Sequence, residues 1–183
     1  MPLPSPASRS LAHTRELRFD GYQRDDGLWD IEGHLIDSKP FDWSLASGTR
    51  VAGTPIHEMR IRLTIDSEFV IRDVVAASDG RPYPGYCENI APAYAVLIGL
   101  KLGRGFRKAV QQALGGIQGC THLTEMLGQF STVAFQTFAG NRRDNDSGDT
   151  QPAQLDHCHA LALGSEAVRK YYPRWYQAAR SGS

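Results

Sequence analysis

The chain has 183 residues, with 20 basic and 20 acidic side chains and no formal net charge. Hydrophobic residues make up 41% and charged residues 22%, which is enough to bury a core and gives no electrostatic case for nucleic acid. Three cysteines, Cys87, Cys120 and Cys158, do not make a disulfide framework and point to a reducing compartment. Met1 to Ser10 is rich in Pro and Ser and lacks the apolar region of a signal peptide. The longest apolar run, Ala93 to Leu100, is too short for a bilayer. These features predict a cytoplasmic protein that engages neither membrane nor nucleic acid.

Taken in order, residues 1–13 read as a disordered lead-in. Arg15 to Arg24 and Leu28 to Asp37 are predicted strands separated by turn chemistry at Asp25-Asp26-Gly27. Ser38 to Thr54 reads as a loop with room for a short strand. Ile56 to Asp66 carries the clearest strand pattern. His57, Met59, Ile61, Leu63 and Ile65 alternate with Glu58, Arg60, Arg62, Thr64 and Asp66, so one face is apolar and the other charged. Asp66-Ser67-Glu68 turns the chain, and Phe69 to Ala77, rich in Val and Ile, returns as the partner. His57 therefore lies on the apolar face, which is expected to pack against the helices that follow.

After a loop from Ser78 to Gly85, a helix is predicted from about Ile90 to Leu102, with Pro92 in its first turn. Phe106, Val110 and Leu114 mark a second, short helix ended by Gly115-Gly116. The third begins just after Cys120, with Thr121 as the expected N-cap. Leu123, Met126, Leu127, Phe130, Ala134 and Phe138 form its apolar stripe. Residues 140–154 read as a polar loop. Leu155 to Leu163 is apolar again and contains His157-Cys158-His159, for which a structural role is expected. Ser165 to Lys170 reads as a turn of helix, and Tyr171 to Tyr176 as an aromatic tail that covers its own domain or a neighbour's, which leaves a homo-oligomer open. The order strand pair, strand pair, helices and tail gives an α+β fold: an antiparallel sheet of hairpins packed against three or so helices, as a single domain over residues 14–183.

Three elements carry soft ligands at their ends. His57 begins a strand, Cys87 precedes one helix, and Cys120 with His122 opens another. Together they make a Cys₂His₂ set suited to zinc or to an iron–sulfur cluster. Asp79 and Cys158 are further, weaker candidates. A thiol at a helix start also favours its thiolate. A second reading is therefore an enzyme with Cys120 as nucleophile and His122 or His57 as base. In a third, the cysteines are packed as small hydrophobes in a non-catalytic interaction module.

Several blocks carry a resemblance. They are Asp25-Asp26-Gly27-Leu28-Trp29-Asp30-Ile31-Glu32-Gly33, Gly53-Thr54-Pro55-Ile56-His57-Glu58-Met59-Arg60-Ile61-Arg62-Leu63-Thr64-Ile65-Asp66, Ala91-Pro92-Ala93-Tyr94, Gly103-Arg104-Gly105-Phe106, Gly119-Cys120-Thr121-His122-Leu123-Thr124-Glu125, Cys158-His159-Ala160-Leu161 and Tyr172-Pro173-Arg174-Trp175-Tyr176. With these the chain resembles the bacterial DUF2889 family from about Thr14 onward, a label that implies no activity. The layout is also distantly similar to the NifU/SufE-type iron–sulfur scaffold proteins. That likeness sets His57 at the position of the aspartate in their Cys-Gly-Asp motif, Cys87 at their middle cysteine and Cys120 at their last. Ile56 stands near their first cysteine, so the likeness implies the fold and brings the site nearer to zinc than to a cluster.

Overall fold

In the computed structural model, described for residues 3–139 and 149–178, the chain divides into two compact units, Met1–Thr137 and Phe138–Ser183. The first unit is built on a four-stranded antiparallel sheet in the order β1-β2-β5-β6, from β1 (Thr14–Gln23), β2 (Trp29–Ser38), β5 (Pro55–Ile65) and β6 (Ile71–Gly80). Between β2 and β5 the predicted loop forms a small hairpin of β3 (Trp43–Leu45) and β4 (Gly48–Arg50). The fold is thus α+β with an antiparallel sheet, as its periodicity predicts.

Turn chemistry sets the strand ends. Asp26 caps the β1–β2 turn by accepting the Leu28 N–H at 3.2 Å, and Gly27 sits at φ +85°, where a Cβ is disfavoured. Asp66 organises the β5–β6 turn, accepting the N–H groups of Glu68 and Val70 at 2.9 and 3.0 Å. Period two then sorts the side chains of β5: Met59, Ile61, Leu63 and Ile65 are buried while Arg60 is exposed.

The first long helix of the sequence reading is corrected. Cys87–Leu97 is a 3-10 helix, and the chain leaves it at Ile98 in an extended conformation. Pro92 lies inside it; a residue without an N–H and with its ring against the preceding turn does not sustain the i→i−4 ladder of an α-helix. The second helix is α1 (Phe106–Leu114), with Phe106, Val110 and Leu114 buried as their spacing predicts. The third is α2 (Thr121–Ala139), whose stripe of Leu123, Met126, Leu127, Phe130, Ala134 and Phe138 is buried. Thr121 is its first helical residue rather than its cap: the Thr124 N–H already bonds the Cys120 carbonyl at 2.9 Å, so Cys120 holds the N-cap position.

The helix α2 packs on the apolar face of the sheet. Phe130 meets Phe19 of β1 edge to face at 5.6 Å between ring centres. At Gly33 of β2 an added Cβ would stand 3.0 Å from Met126 Sδ and Phe130 Cζ, and at Gly21 of β1 it would overlap Thr137. Two strand glycines thus let the helix approach the sheet backbone closely.

In the second unit, the segment around His157-Cys158-His159 forms turns and a short 3-10 helix at His159–Leu161, and Cys158 is exposed. The predicted helical turn is α3 (Glu166–Tyr171), capped by Ser165, whose hydroxyl accepts the Val168 N–H at 3.2 Å. Within the aromatic tail, Pro173–Trp175 is a 3-10 helix, and Gln154 donates to the Tyr172 hydroxyl at 3.1 Å. Of the predicted polar loop, residues 140–148 lie outside the described residues.

Candidate functional site

Register brings the site together. Arg15 of β1 lies opposite Asp37 of β2, and Asp37 lies opposite His57 of β5, so the three form one row across neighbouring strands. The row continues the face on which Trp29, Ile31 and Leu35 are buried. Asp37 is thus a carboxylate on an apolar face, and it is only 3% exposed. His122, in the first turn of α2, meets this row at the end of the sheet where the helix begins.

Arg15 grips Asp37 with both arms of its guanidinium, Nε to Oδ1 at 2.8 Å and Nη2 to Oδ2 at 2.9 Å. The His13 Nε2 lies 3.0 Å from Oδ1. On the other side two more imidazoles approach Oδ2: His57 Nδ1 at 3.2 Å and His122 Nε2 at 3.6 Å. The second distance is beyond hydrogen-bond reach. The His57 and His122 rings lie against each other, with centres 3.8 Å apart and planes tilted by 33°. Asp37 Oδ2 and the two facing nitrogens therefore converge, with one ligand atom from each residue within 4.8 Å of the others.

The protonation states follow from burial and charge. Burial works against the Asp37 carboxylate, but the hydrogen bonds and charge of Arg15, aided by His57 and His122, outweigh it and lower the pKa below the ordinary 3.8. Burial lowers the pKa of His57 below 6.5, and the neighbouring His122 adds to that shift. Burial lowers His122 as well, while Asp37 opposes the change. At neutral pH the site therefore holds a charged carboxylate and two neutral imidazoles with lone pairs to offer.

Of the candidates read from the sequence, the structure brings His57 and His122 together and sets Cys120 beside them. Cys120 Sγ lies 3.9 Å from His122 Nδ1 and 3.6 Å from Met59 Sδ. Its backbone is held by Tyr94, a fully buried residue whose hydroxyl accepts the Cys120 N–H at 3.0 Å. The same hydroxyl lies 3.1 Å from the Cys120 carbonyl and 3.0 Å from Thr124 Oγ1. Among the described residues no cysteine belongs to a convergent group of three or more metal donors. Cys87 opens the 3-10 helix, with its N–H bonded to the Tyr83 carbonyl. Asp79 is exposed and pairs with Arg60 at 3.3 Å. Cys158 belongs to the second unit.

Sequence reasoning missed Asp37, Arg15 and His13. A signal for Asp37 was present: counted in steps of two from Trp29, Ile31, Gly33 and Leu35, position 37 falls on the apolar face. A charged residue in that phase needs a partner or a task. His13 stood at the end of the expected disordered lead-in and instead reaches the same carboxylate.

Among the described residues no helix is long and apolar enough to cross a membrane. No curated protein and no solved structure matches the chain. The family model of DUF2889, a protein of unknown function, matches residues 13–136, a span that holds His13, Arg15, Asp37, His57, Cys120 and His122 together. The chain belongs to the DUF2889 family.

Proposed function

We propose that this protein binds one divalent cation of zinc type through Asp37, His57 and His122. The observation that carries the reading is the convergence of one carboxylate oxygen and two imidazole nitrogens, with contacts of 3.2 and 3.6 Å. Ligand atoms 2.0–2.1 Å from a tetrahedral zinc stand about 3.3–3.4 Å from one another, so these separations are those of neighbouring corners. The ligand states support it as well, because a metal requires a deprotonated carboxylate and neutral imidazoles. Arg15 occupies one side of the Asp37 carboxylate, and Oδ2 keeps a lone pair for the side that faces the imidazoles. Nitrogen and oxygen donors favour zinc over an iron–sulfur cluster, which is built on several thiolates. Three protein ligands leave one tetrahedral position for water or a substrate atom, the composition of catalytic rather than structural zinc sites. The NifU/SufE-like layout belongs to the same proposal, as a likeness of architecture.

Metal titration of chelator-treated protein tests this reading. One equivalent of zinc is expected to bind. At a free concentration 100 times its Kd it should raise the unfolding free energy by about 2.7 kcal/mol. His57→Ala and His122→Ala should each abolish stoichiometric binding. A wild-type protein that takes up no zinc, cobalt or iron sinks the proposal.

The contact between Cys120 Sγ and His122 Nδ1 favours a second reading, a thiol enzyme with His122 as base. Rapid alkylation of Cys120 at neutral pH, unaffected by zinc and abolished in Cys120→Ser, would put that reading first.

A further inference from the structure

Resting on the metal reading above, we infer that Cys120 is the positioning partner of His122: its sulfur accepts the Nδ1–H of that ring while the cation sits on Nε2. The two nitrogens of an imidazole point in diverging directions, so they serve different neighbours. In His122, Nε2 turns to Asp37 Oδ2 and Nδ1 to Cys120 Sγ. A cation on Nε2 leaves the ring proton on Nδ1, and that proton needs an acceptor to hold the tautomer and the ring plane. In metal sites this acceptor is usually a carboxylate, a backbone carbonyl or water. Here the only group facing it among the described hydrogen-bond contacts is the sulfur at 3.9 Å, within reach for so large an atom.

Two further observations separate this role from direct ligation. Sγ is not among the converging donors, which are Asp37, His57 and His122. Its position is also held from two sides. Tyr94 clamps the Cys120 backbone through the N–H at 3.0 Å and lies 3.1 Å from the carbonyl, and the buried Met59 lies 3.6 Å from the sulfur. Met59 follows His57 by two residues on the same face of β5, so the strand that supplies one ligand also backs the sulfur that steadies the other. The role links the buried Tyr94 hydroxyl to the centre: Tyr94 sets Cys120, and Cys120 sets His122.

Cobalt(II) titration of wild type, Cys120→Ser and Cys120→Ala tests the assignment. Wild type should bind one cobalt without a thiolate-to-cobalt charge-transfer band in the near ultraviolet. Cys120→Ala should weaken binding 10- to 100-fold, the usual loss when the outer partner of a metal-bound histidine is removed. Cys120→Ser, which keeps an acceptor, should stay within a few-fold of wild type. A charge-transfer band in wild type makes Cys120 a ligand and overturns the inference, a result that needs no variant to fold. Equal affinity in Cys120→Ala overturns it while leaving the three-ligand centre intact. Failure of wild type to bind cobalt fails the centre itself, and the inference with it.

Discussion

The two faces of the sheet use the same charged residue types to opposite effect. On the face away from α2, Arg62 pairs with Glu32 across β5 and β2 at 3.4 Å, each side chain 43% exposed, and Arg18 pairs with Asp20 along β1. Water screens such pairs, and they contribute little. On the face under α2, one carboxylate is buried and draws Arg15 and three imidazoles around it. Burial makes the second arrangement consequential: a charge removed from water must be compensated in place, and the groups that compensate it also shift one another's pKa values. On the open face Arg62–Glu32 and Arg18–Asp20 stay in contact with water, whereas on the covered face one ion pair gathers a cluster of imidazoles.

The sharpest way to break the contrast is to remove one acid from each face. Asp37→Ala should cost about 2–3 kcal/mol, because Arg15 loses a bidentate partner within a half-buried cluster. Glu32→Ala should cost less than about 1 kcal/mol. Urea unfolding of the two variants measures both, and equal losses would refute the contrast. Next in size is Gly21→Ala, on the covered face of β1. Its methyl would overlap the short, branched Thr137 of α2, and overpacking of this kind costs about 1–3 kcal/mol. Gly21→Ala paired with Thr137→Ala, which removes the two nearest side-chain atoms, should recover part of that loss if helix-to-sheet contact is its cause.

The smallest effect is the pH dependence of the covered face. The His57 and His122 pKa values are lowered from 6.5 by burial, so between 6.5 and those lower values the unfolded chain binds more protons than the folded one. Stability should therefore fall as pH drops below 6.5. Asp37, lowered from 3.8, contributes stability that is complete above 3.8 and is lost as pH falls through its folded value. Denaturation midpoints between pH 8 and pH 3 should show the first decline in wild type and lose most of it in the double variant His57→Gln, His122→Gln. An unchanged decline in that variant would place its origin elsewhere.

Local pattern determined much of this protein. Alternation at Met59, Ile61 and Leu63 marks β5 and its buried face; Asp26-Gly27 and Asp66 mark turns; the stripe from Leu123 to Phe138 marks α2. Each of these signals lies within a few residues of the structure it specifies, and so does the pairing of Cys120 with His122. Only the tertiary structure decided the rest. Arg15, Asp37 and His57 become neighbours through strand register, and a shift of one residue would turn Asp37 to the open face. His122 joins them because the α2 start lies over that end of the sheet, a placement that Gly21 and Gly33 permit and no local spacing encodes. Two ligands of the candidate centre were legible as residue types. The carboxylate between them was legible only as a charge in the apolar phase of its strand; that it meets these two imidazoles depends on which strands pair and in what register.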